Sequence, residues 1–525
     1  MEAGDRDPRA PEDETTRSAP PVAEIVASGI VKRYGALVAN DHVDLSVARG
    51  EIHAVMGENG AGKSTLMSIL YGLQRPDAGR VLLRGEEVQF RSALDAIGHG
   101  MGMVHQAFKL FNSLSVWENI VYGAEPRRGG FIDRRAARAE VAALAARHRL
   151  AVSPDAIVAR LSVGVRQRVE ILKALYRDAR ILILDEPTAV LTPQERDGLF
   201  AVMRHLAAEG RTILFVTHKL HEVMAITDRV TVLRDGRVVD RMVTADTTPR
   251  DIVRAMTGRS VNLNVEKGPA RPGAILLEAS DLTVAAPGGK PLVDRVGFRL
   301  RGGEIVGVAG VAGNGQTELV EALVGLRPID AGEVRVAGAD VTKLDVAARR
   351  AAGIAYIPED RALVGAALSA SAAENLAMGF HRDAPLSRRG LIDASAVASR
   401  ARALIARFGV KIASERAAVG SLSGGNLQKV VVARELAHGA PALIAEQPTR
   451  GVDVGATEFI HAELVAERDA GRAVLLVSAE LTEILALSDR ILVMYEGRIL
   501  AEVPRERASE ESLGLLMAGR TPEAA

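Results

Sequence analysis

Apolar residues fall along this chain in short, dense runs separated by polar turns. Glu51-Ile-His-Ala-Val-Met56 is such a run and predicts a strand. A glycine-rich loop follows it. Residues 63–71 then carry Leu66, Ile69 and Leu70 at helical spacing, which predicts a helix with one inward face. Ile181-Leu-Ile-Leu184 is a four-residue apolar run closed by two carboxylates, Asp185 and Glu186. A run of that kind suits a parallel strand buried on both faces. Residues 133–150 and 394–409 are rich in Ala and Arg with helical periodicity. The most apolar stretch, residues 473–495, is broken by Glu480, Glu483, Asp489 and Arg490. No run therefore reaches the ~18 apolar residues a membrane span needs.

The pattern occurs twice. Glu51-Ile-His-Ala-Val-Met-Gly57 returns 253 residues later as Glu304-Ile-Val-Gly-Val-Ala-Gly310. Leu161-Ser-Val-Gly164 returns 261 residues later as Leu422-Ser-Gly-Gly425, and Met256-Thr-Gly-Arg259 returns at the same offset as Met517-Ala-Gly-Arg520. Long-range offsets that drift by only eight residues indicate an internal duplication, with a small insertion in the second copy. The first copy is expected over residues 23–262 and the second over 274–520. Residues 263–273 form a short linker marked by Gly268, Pro269 and Pro272. Residues 1–22, rich in Pro, Asp, Glu and Arg, read as a disordered tail with no apolar secretory segment.

Composition narrows the class. The chain has 525 residues, 48% hydrophobic and 25% charged, as an ordinary soluble multidomain protein would. Lys+Arg and Asp+Glu both number 66, so no basic footprint for nucleic acid exists. There is no cysteine, which excludes disulfides and Cys-ligated metal.

Gly57-Glu58-Asn59-Gly60-Ala61-Gly62-Lys63-Ser64-Thr65 fits the spacing G-x-x-x-x-G-K-[ST]. Backbone N–H groups of such a loop wrap phosphates, and the N-terminus of the next helix adds a favourable dipole. Lys63 would reach the β- and γ-phosphates, and the Ser64 hydroxyl would ligate Mg²⁺. At the end of the apolar run, Asp185 would support Mg²⁺ and Glu186 would polarise the attacking water. The end of a parallel strand is where α/β sheets place ligands.

On these residues the chain resembles ATP-binding-cassette (ABC) transporter nucleotide-binding proteins, over nearly all of its length after the tail. Leu161-Ser162-Val163-Gly164-Val165-Arg166-Gln167 is similar to the family's signature motif, with Val163 where Gly is usual. The resemblance makes Gln106 the glutamine that senses Mg²⁺ and the membrane partner. It makes His218 the switch histidine on the γ-phosphate, and Tyr34 the aromatic that stacks on adenine. It implies an α/β fold of two tandem P-loop NTPase domains. Each would have a RecA-like core, an antiparallel β subdomain and a helical subdomain.

The second copy keeps the frame and loses the chemistry. Lys63 becomes Gln316, Ser64 becomes Thr317, Gln106 becomes Glu359 and Tyr34 becomes Pro287. Asp185 becomes Glu446, Glu186 becomes Gln447 and His218 becomes Ala479. An amide cannot accept the proton that a carboxylate accepts. Its signature, Leu422-Ser423-Gly424-Gly425-Asn426-Leu427-Gln428, has both glycines. In the family, cassettes pair head to tail. One composite site would then take Lys63, Ser64, Gln106, Asp185, Glu186 and His218 from the first copy, and Ser423, Gly424, Gly425, Gln428 and Asp453 from the second.

The resemblance implies an ATPase that binds ATP and Mg²⁺ and drives import through two separate integral-membrane permease subunits. It would sit peripherally on the cytoplasmic face of the inner membrane, served indirectly by an extracytoplasmic solute-binding protein. The segments 161–176 and 103–106 are most similar to the nucleoside branch linked to basic membrane lipoproteins, with ribose-type monosaccharide importers next. A tandem ATPase acting on ribosomes would carry a long charged linker and two intact sites. A chromosome-type cassette would carry a long coiled-coil insertion. The sequence has neither.

Overall fold

The computed structural model describes residues 23–520, apart from 36, 106–107, 189–190, 218, 260–264, 287 and 312. The expected tail, Gln106, His218, Pro287 and the first residues of the linker lie outside the described residues.

Each copy folds into the same three parts. In the first, six strands form the central sheet in the order Arg237–Val243, Arg229–Arg234, Ile52–Gly57, Thr212–Val216, Ile181–Asp185, Met101–Val104. All neighbours are parallel except the outermost pair, Arg229–Arg234 with Arg237–Val243. Ile52–Gly57 and Thr212–Val216 are buried at every residue, so a continuous apolar run rather than an alternating one is what each position demands. A four-stranded antiparallel sheet, Leu37–Ala48, Ala23–Tyr34, Ala78–Leu83 and Glu86–Val88, flanks this core. The helices Val116–Val121, Arg134–Arg147 and Val163–Tyr176 pack together on the other side. Arg134–Arg147 buries Ala137, Val141 and Ala145, one stripe at four-residue spacing. Asp133 caps its start by accepting from the N–H groups of Arg135 and Ala136.

The second copy repeats the design with the same strand order, read from the opposite edge: Ile354–Ile357, Ala442–Glu446, Ala473–Val477, Glu304–Ala309, Arg490–Tyr495, Arg498–Pro504. The additional residues enter in separate places. Three fall between the strand Ile354–Ile357 and the helix Ala372–Ala377, where a π-helical turn, Arg361–Gly365, is formed. Four more precede the hairpin Ser387–Arg388 and Leu391–Ile392.

The copies face each other about a pseudo-twofold axis. The helix Pro249–Thr257 of the first packs on Val454–Asp469 of the second, and Glu510–Met517 of the second packs on Pro193–Ala208 of the first. These are the same pair of elements exchanged. Val454 enters an apolar cluster of Ala54, Met56, Val223, Ile252 and Met256. Arg259 pairs with Glu458 at 2.9 Å, and Arg196 with Glu510 at 3.4 Å. The linker is strapped to the second copy: Lys267 Nζ donates to the carbonyls of Leu487 and Ser488 and to Asp489. No helix among the described residues is long and apolar enough to cross a membrane.

Candidate functional site

The strand Ile52–Gly57 delivers the chain into the glycine loop, and the helix Lys63–Leu70 leaves it. Two glycines are sterically required. Gly62 has φ +97°, and a Cβ there would lie 2.2 Å from the Ala39 carbonyl oxygen. A Cβ on Gly57 would lie 2.3 Å from that of Leu233. Asn40 holds the turn by donating to the Gly62 carbonyl at 3.1 Å. Lys63 is buried and curls back over the loop, its Nζ donating to the carbonyls of Gly57 at 2.6 Å and Glu58 at 3.0 Å. Burial lowers its affinity for the proton, and the charges of Glu186, Asp185 and Glu58 oppose that. Ser64, at the next position, is exposed at the loop mouth.

Asp185 ends the strand Ile181–Asp185 beside this loop. Burial, then the neighbouring Glu186 charge, pushes its carboxyl up to about 6, against the pull of Lys63. Glu186 turns the chain with φ +46°, and its N–H donates to the Val216 carbonyl at 2.9 Å. A non-glycine residue in left-handed conformation is uncommon, and it aims this carboxylate off the sheet end. Tyr34 sits at the rim of the antiparallel sheet, 44% exposed as a residue, with its hydroxyl bonded to Gln74.

The loop reaches the other copy. Asn59 Nδ2 donates to the Gly451 carbonyl at 2.9 Å, a bond spanning 392 residues of sequence. Burial, then the charge of Asp453, raises the pKa of Glu58, while Lys411 opposes it. Asp453 caps the helix Val454–Asp469 by accepting from Ala456 N–H at 2.7 Å. Beside it, a Cβ on Gly425 would lie 2.7 Å from Asp453 Oδ2, so the signature backbone and this carboxylate are in near contact. Ser423 is the exposed N-cap of Gly424–Leu436, and Gln428 is buried one turn in. The structure thus brings Lys63, Asp185, Glu186 and the loop of one copy to one mouth, with Asp453 and the start of the signature helix of the other opposite. Lys411 and Lys429 add positive charge around Asp453. Nothing in their local sequence marked these two lysines, because only the fold carries them there.

The corresponding place in the second copy is filled by the protein itself. Gln316 donates to the Val311 carbonyl at 3.2 Å, where Lys63 would present a cation. Glu446 is buried and accepts from the Tyr356 hydroxyl at 2.6 Å. Burial pushes its carboxyl up, against hydrogen bonds from Tyr356 and Thr317. Gln447 shares the φ +46° of Glu186, but its Oε1 accepts from the Ala479 N–H at 3.1 Å, closing the space over the strand end. Glu359, at the Gln106 position, pairs with Arg450. Ser162, at the position equivalent to Ser423, caps Val163–Tyr176, and a Cβ on Gly164 would strike the Glu195 carboxylate.

The ABC transporter family matches residues 40–189 and again 293–450. The chain is 45% identical over 490 residues to the nucleoside import ATP-binding protein NupA of Lactococcus lactis, covering 93% of this chain and 97% of that one. It is 46% identical to the guanosine import ATP-binding protein NupO of Bacillus subtilis, covering 94% and 97%. It is 45% identical to the ribose import ATP-binding protein RbsA 1 of Streptomyces avermitilis, covering 92% and 91%. Archaeal ribosome recycling factor aABCE1, solved with ribosomal stalk protein aP1, has a similar overall fold: TM-score 0.61 and 21% identity, covering 91% of this chain and 90% of that one. At that identity the likeness is one of fold alone.

Proposed function

Because the chain belongs to the ABC transporter family as a tandem-cassette import ATPase, we propose that it hydrolyses ATP at one composite site and drives the uptake of nucleosides. Lys63 and the backbone N–H groups of residues 57–65 hold the phosphates, and Tyr34 stacks on the adenine. Mg²⁺ would be held by Ser64, Asp185 and Gln106. Glu186 activates the water and His218 contacts the γ-phosphate. Ser423, Gly424, Gly425, Gln428 and Asp453 complete the site from the second cassette. The observation that carries this reading is the Asn59–Gly451 hydrogen bond, which joins the first cassette's phosphate loop to the segment leading into Asp453.

The work is done on partners. Two integral-membrane permeases would meet the helical subdomains, and closure of the cassettes around ATP would be transmitted to them as a domain motion. The chain would sit peripherally at the cytoplasmic face of the membrane, with a solute-binding protein acting indirectly.

Nucleosides are favoured as solute by the resemblance of residues 161–176 and 103–106 to the nucleoside branch, together with the 45–46% identity to NupA and NupO. The ribose reading keeps one specific support, equal identity to a ribose import ATP-binding protein. Uptake of radiolabelled guanosine and ribose by cells lacking this protein separates the two. Loss of guanosine uptake with ribose uptake intact is expected. The opposite pattern assigns the chain to a sugar importer.

A further inference from the structure

Away from the nucleotide site, the C-terminal ends of two helices meet. His148 is the C-cap of Arg134–Arg147, and Glu209 is the C-cap of Pro193–Ala208, whose last turn also carries His205. His148 Nδ1 lies 3.3 Å from Glu209 Oε2, and His205 Nε2 lies 3.5 Å from Glu209 Oε1. One donor atom from each of the three falls within 4.8 Å of the others.

The cluster is more than a chance meeting of side chains. His148 is 1% exposed, yet neither of its ring nitrogens has a hydrogen-bond partner, and His205 Nε2 has none. Buried polar atoms normally have partners, and an orphaned group costs stability. The internal duplication supplies a comparison. The equivalent C-cap in the second cassette is Phe408, fully buried against Phe459, and the positions equivalent to His205 and Glu209 are Ala466 and Ala470. The fold is satisfied by an apolar side chain here, so packing does not require histidine.

We propose that His148, His205 and Glu209 form a binding site for a transition-metal ion of the zinc class, with the fourth position open to water. Two imidazoles and one carboxylate are a recognised zinc donor set. Ligands 2.0–2.1 Å from a tetrahedral ion stand about 3.3–3.4 Å apart. Each imidazole lies 3.3 or 3.5 Å from a different oxygen of Glu209, and one donor atom from each residue falls within 4.8 Å of the others, so a small closure of the side chains brings three donors to that spacing. Both helices direct their negative dipole ends at the cluster, which favours a cation. Of the arginines nearby, Arg147 and Arg211, the second is engaged by the Ala179 carbonyl and Asp178. Glu209 and His205 are partly exposed, so an ion can enter. Occupancy would staple the helical subdomain to a helix that starts beside the nucleotide site.

The test is titration of the full chain, without an added histidine tag, with Co²⁺ and Zn²⁺ in excess Mg²⁺. One equivalent of Co²⁺ with the visible bands of a four-coordinate site is expected, displaced by Zn²⁺. His148→Phe, which installs the second cassette's residue, should fold and lose at least about 100-fold in affinity, and Glu209→Gln about 10–100-fold. Absence of such a band in the wild-type chain, or binding that persists unchanged in both variants, overturns the site.

Discussion

Lys219 and Glu480 stand at equivalent positions of the two cassettes and meet across the pseudo-twofold axis as an ion pair of 2.9 Å. Pairing two first cassettes would set Lys219 against Lys219, and pairing two second cassettes would set Glu480 against Glu480. The difference in charge therefore favours the first cassette facing the second. The pair is partly exposed, so its own worth is about 0.2–1 kcal/mol. Lys219→Glu and Glu480→Lys should each lower the melting temperature, and the double exchange should recover most of the loss. Calorimetry on the four proteins measures this. A double variant no better than the sum of the single losses would remove the pairing role.

The catalytic assignment predicts unequal effects of like substitutions. Glu186→Gln should cut steady-state ATP turnover by about 10²–10⁴-fold, the scale of a lost general base, while leaving nucleotide binding intact. Gln447→Ala, at the equivalent position, should cost less than about tenfold, since this amide already accepts from the Ala479 N–H.

Tyr356 donates to the buried Glu446 carboxylate, a hydrogen bond that the first cassette cannot make because the residue equivalent to Tyr356 there is Met103. Tyr356→Phe should leave Glu446 with Thr317 as its remaining hydrogen-bond partner and destabilise the chain by about 1–3 kcal/mol, read from urea unfolding, with little change in ATP turnover. A large loss of turnover with unchanged stability would mean that the second site is catalytic.

Glu51 supplies a pH test remote from the nucleotide. Burial would raise its carboxyl, but hydrogen bonds from His53, Arg229 and the Ala48 N–H outweigh it and hold the pKa at about 2. A carboxylate with a depressed folded-state pKa stabilises the fold above its ordinary value of 4.5, and that contribution fades as pH falls toward 2. Glu51→Gln should therefore cost about 3 kcal/mol at pH 7. The gap between variant and wild type should begin to close below about pH 4.5. A gap independent of pH from 7 to 3.5 would show that Glu51 acts by shape and not by charge.

Much of this was legible in sequence because backbone constraints leave fixed spacing. Gly57 and Gly62 cannot carry a Cβ, and the strand ending at Asp185 must be apolar on both faces, so both segments announce themselves. The loss of chemistry was legible too, because Lys63 to Gln316 is a change of charge at a known offset. What lay hidden was how that loss is accommodated: the Tyr356 hydroxyl on Glu446 and the Gln447 amide on Ala479 depend on side-chain reach across strands. Lys219 and Glu480 differ by the same 261-residue offset as the signatures, a signal present in the sequence but without meaning until the axis is seen. His148, His205 and Glu209 are ordinary surface-type residues whose convergence only the packing of two helix ends creates.

The central claim is that the working site is completed from the second cassette, and ATP turnover in Ser423→Arg and Ser162→Arg tests it most directly. Both serines are exposed helix N-caps accepting a backbone N–H at 3.4 Å; Ser423 also accepts from Asn426 Nδ2 at 2.9 Å, a contact on the surface, so the structural costs should be comparable, about 1 kcal/mol each. Ser423→Arg should lower turnover by about 100-fold or more, as blocking a phosphate-binding helix end would. Ser162→Arg should stay within about threefold of wild type. An equal loss in both, or a greater loss in Ser162→Arg, would contradict the account.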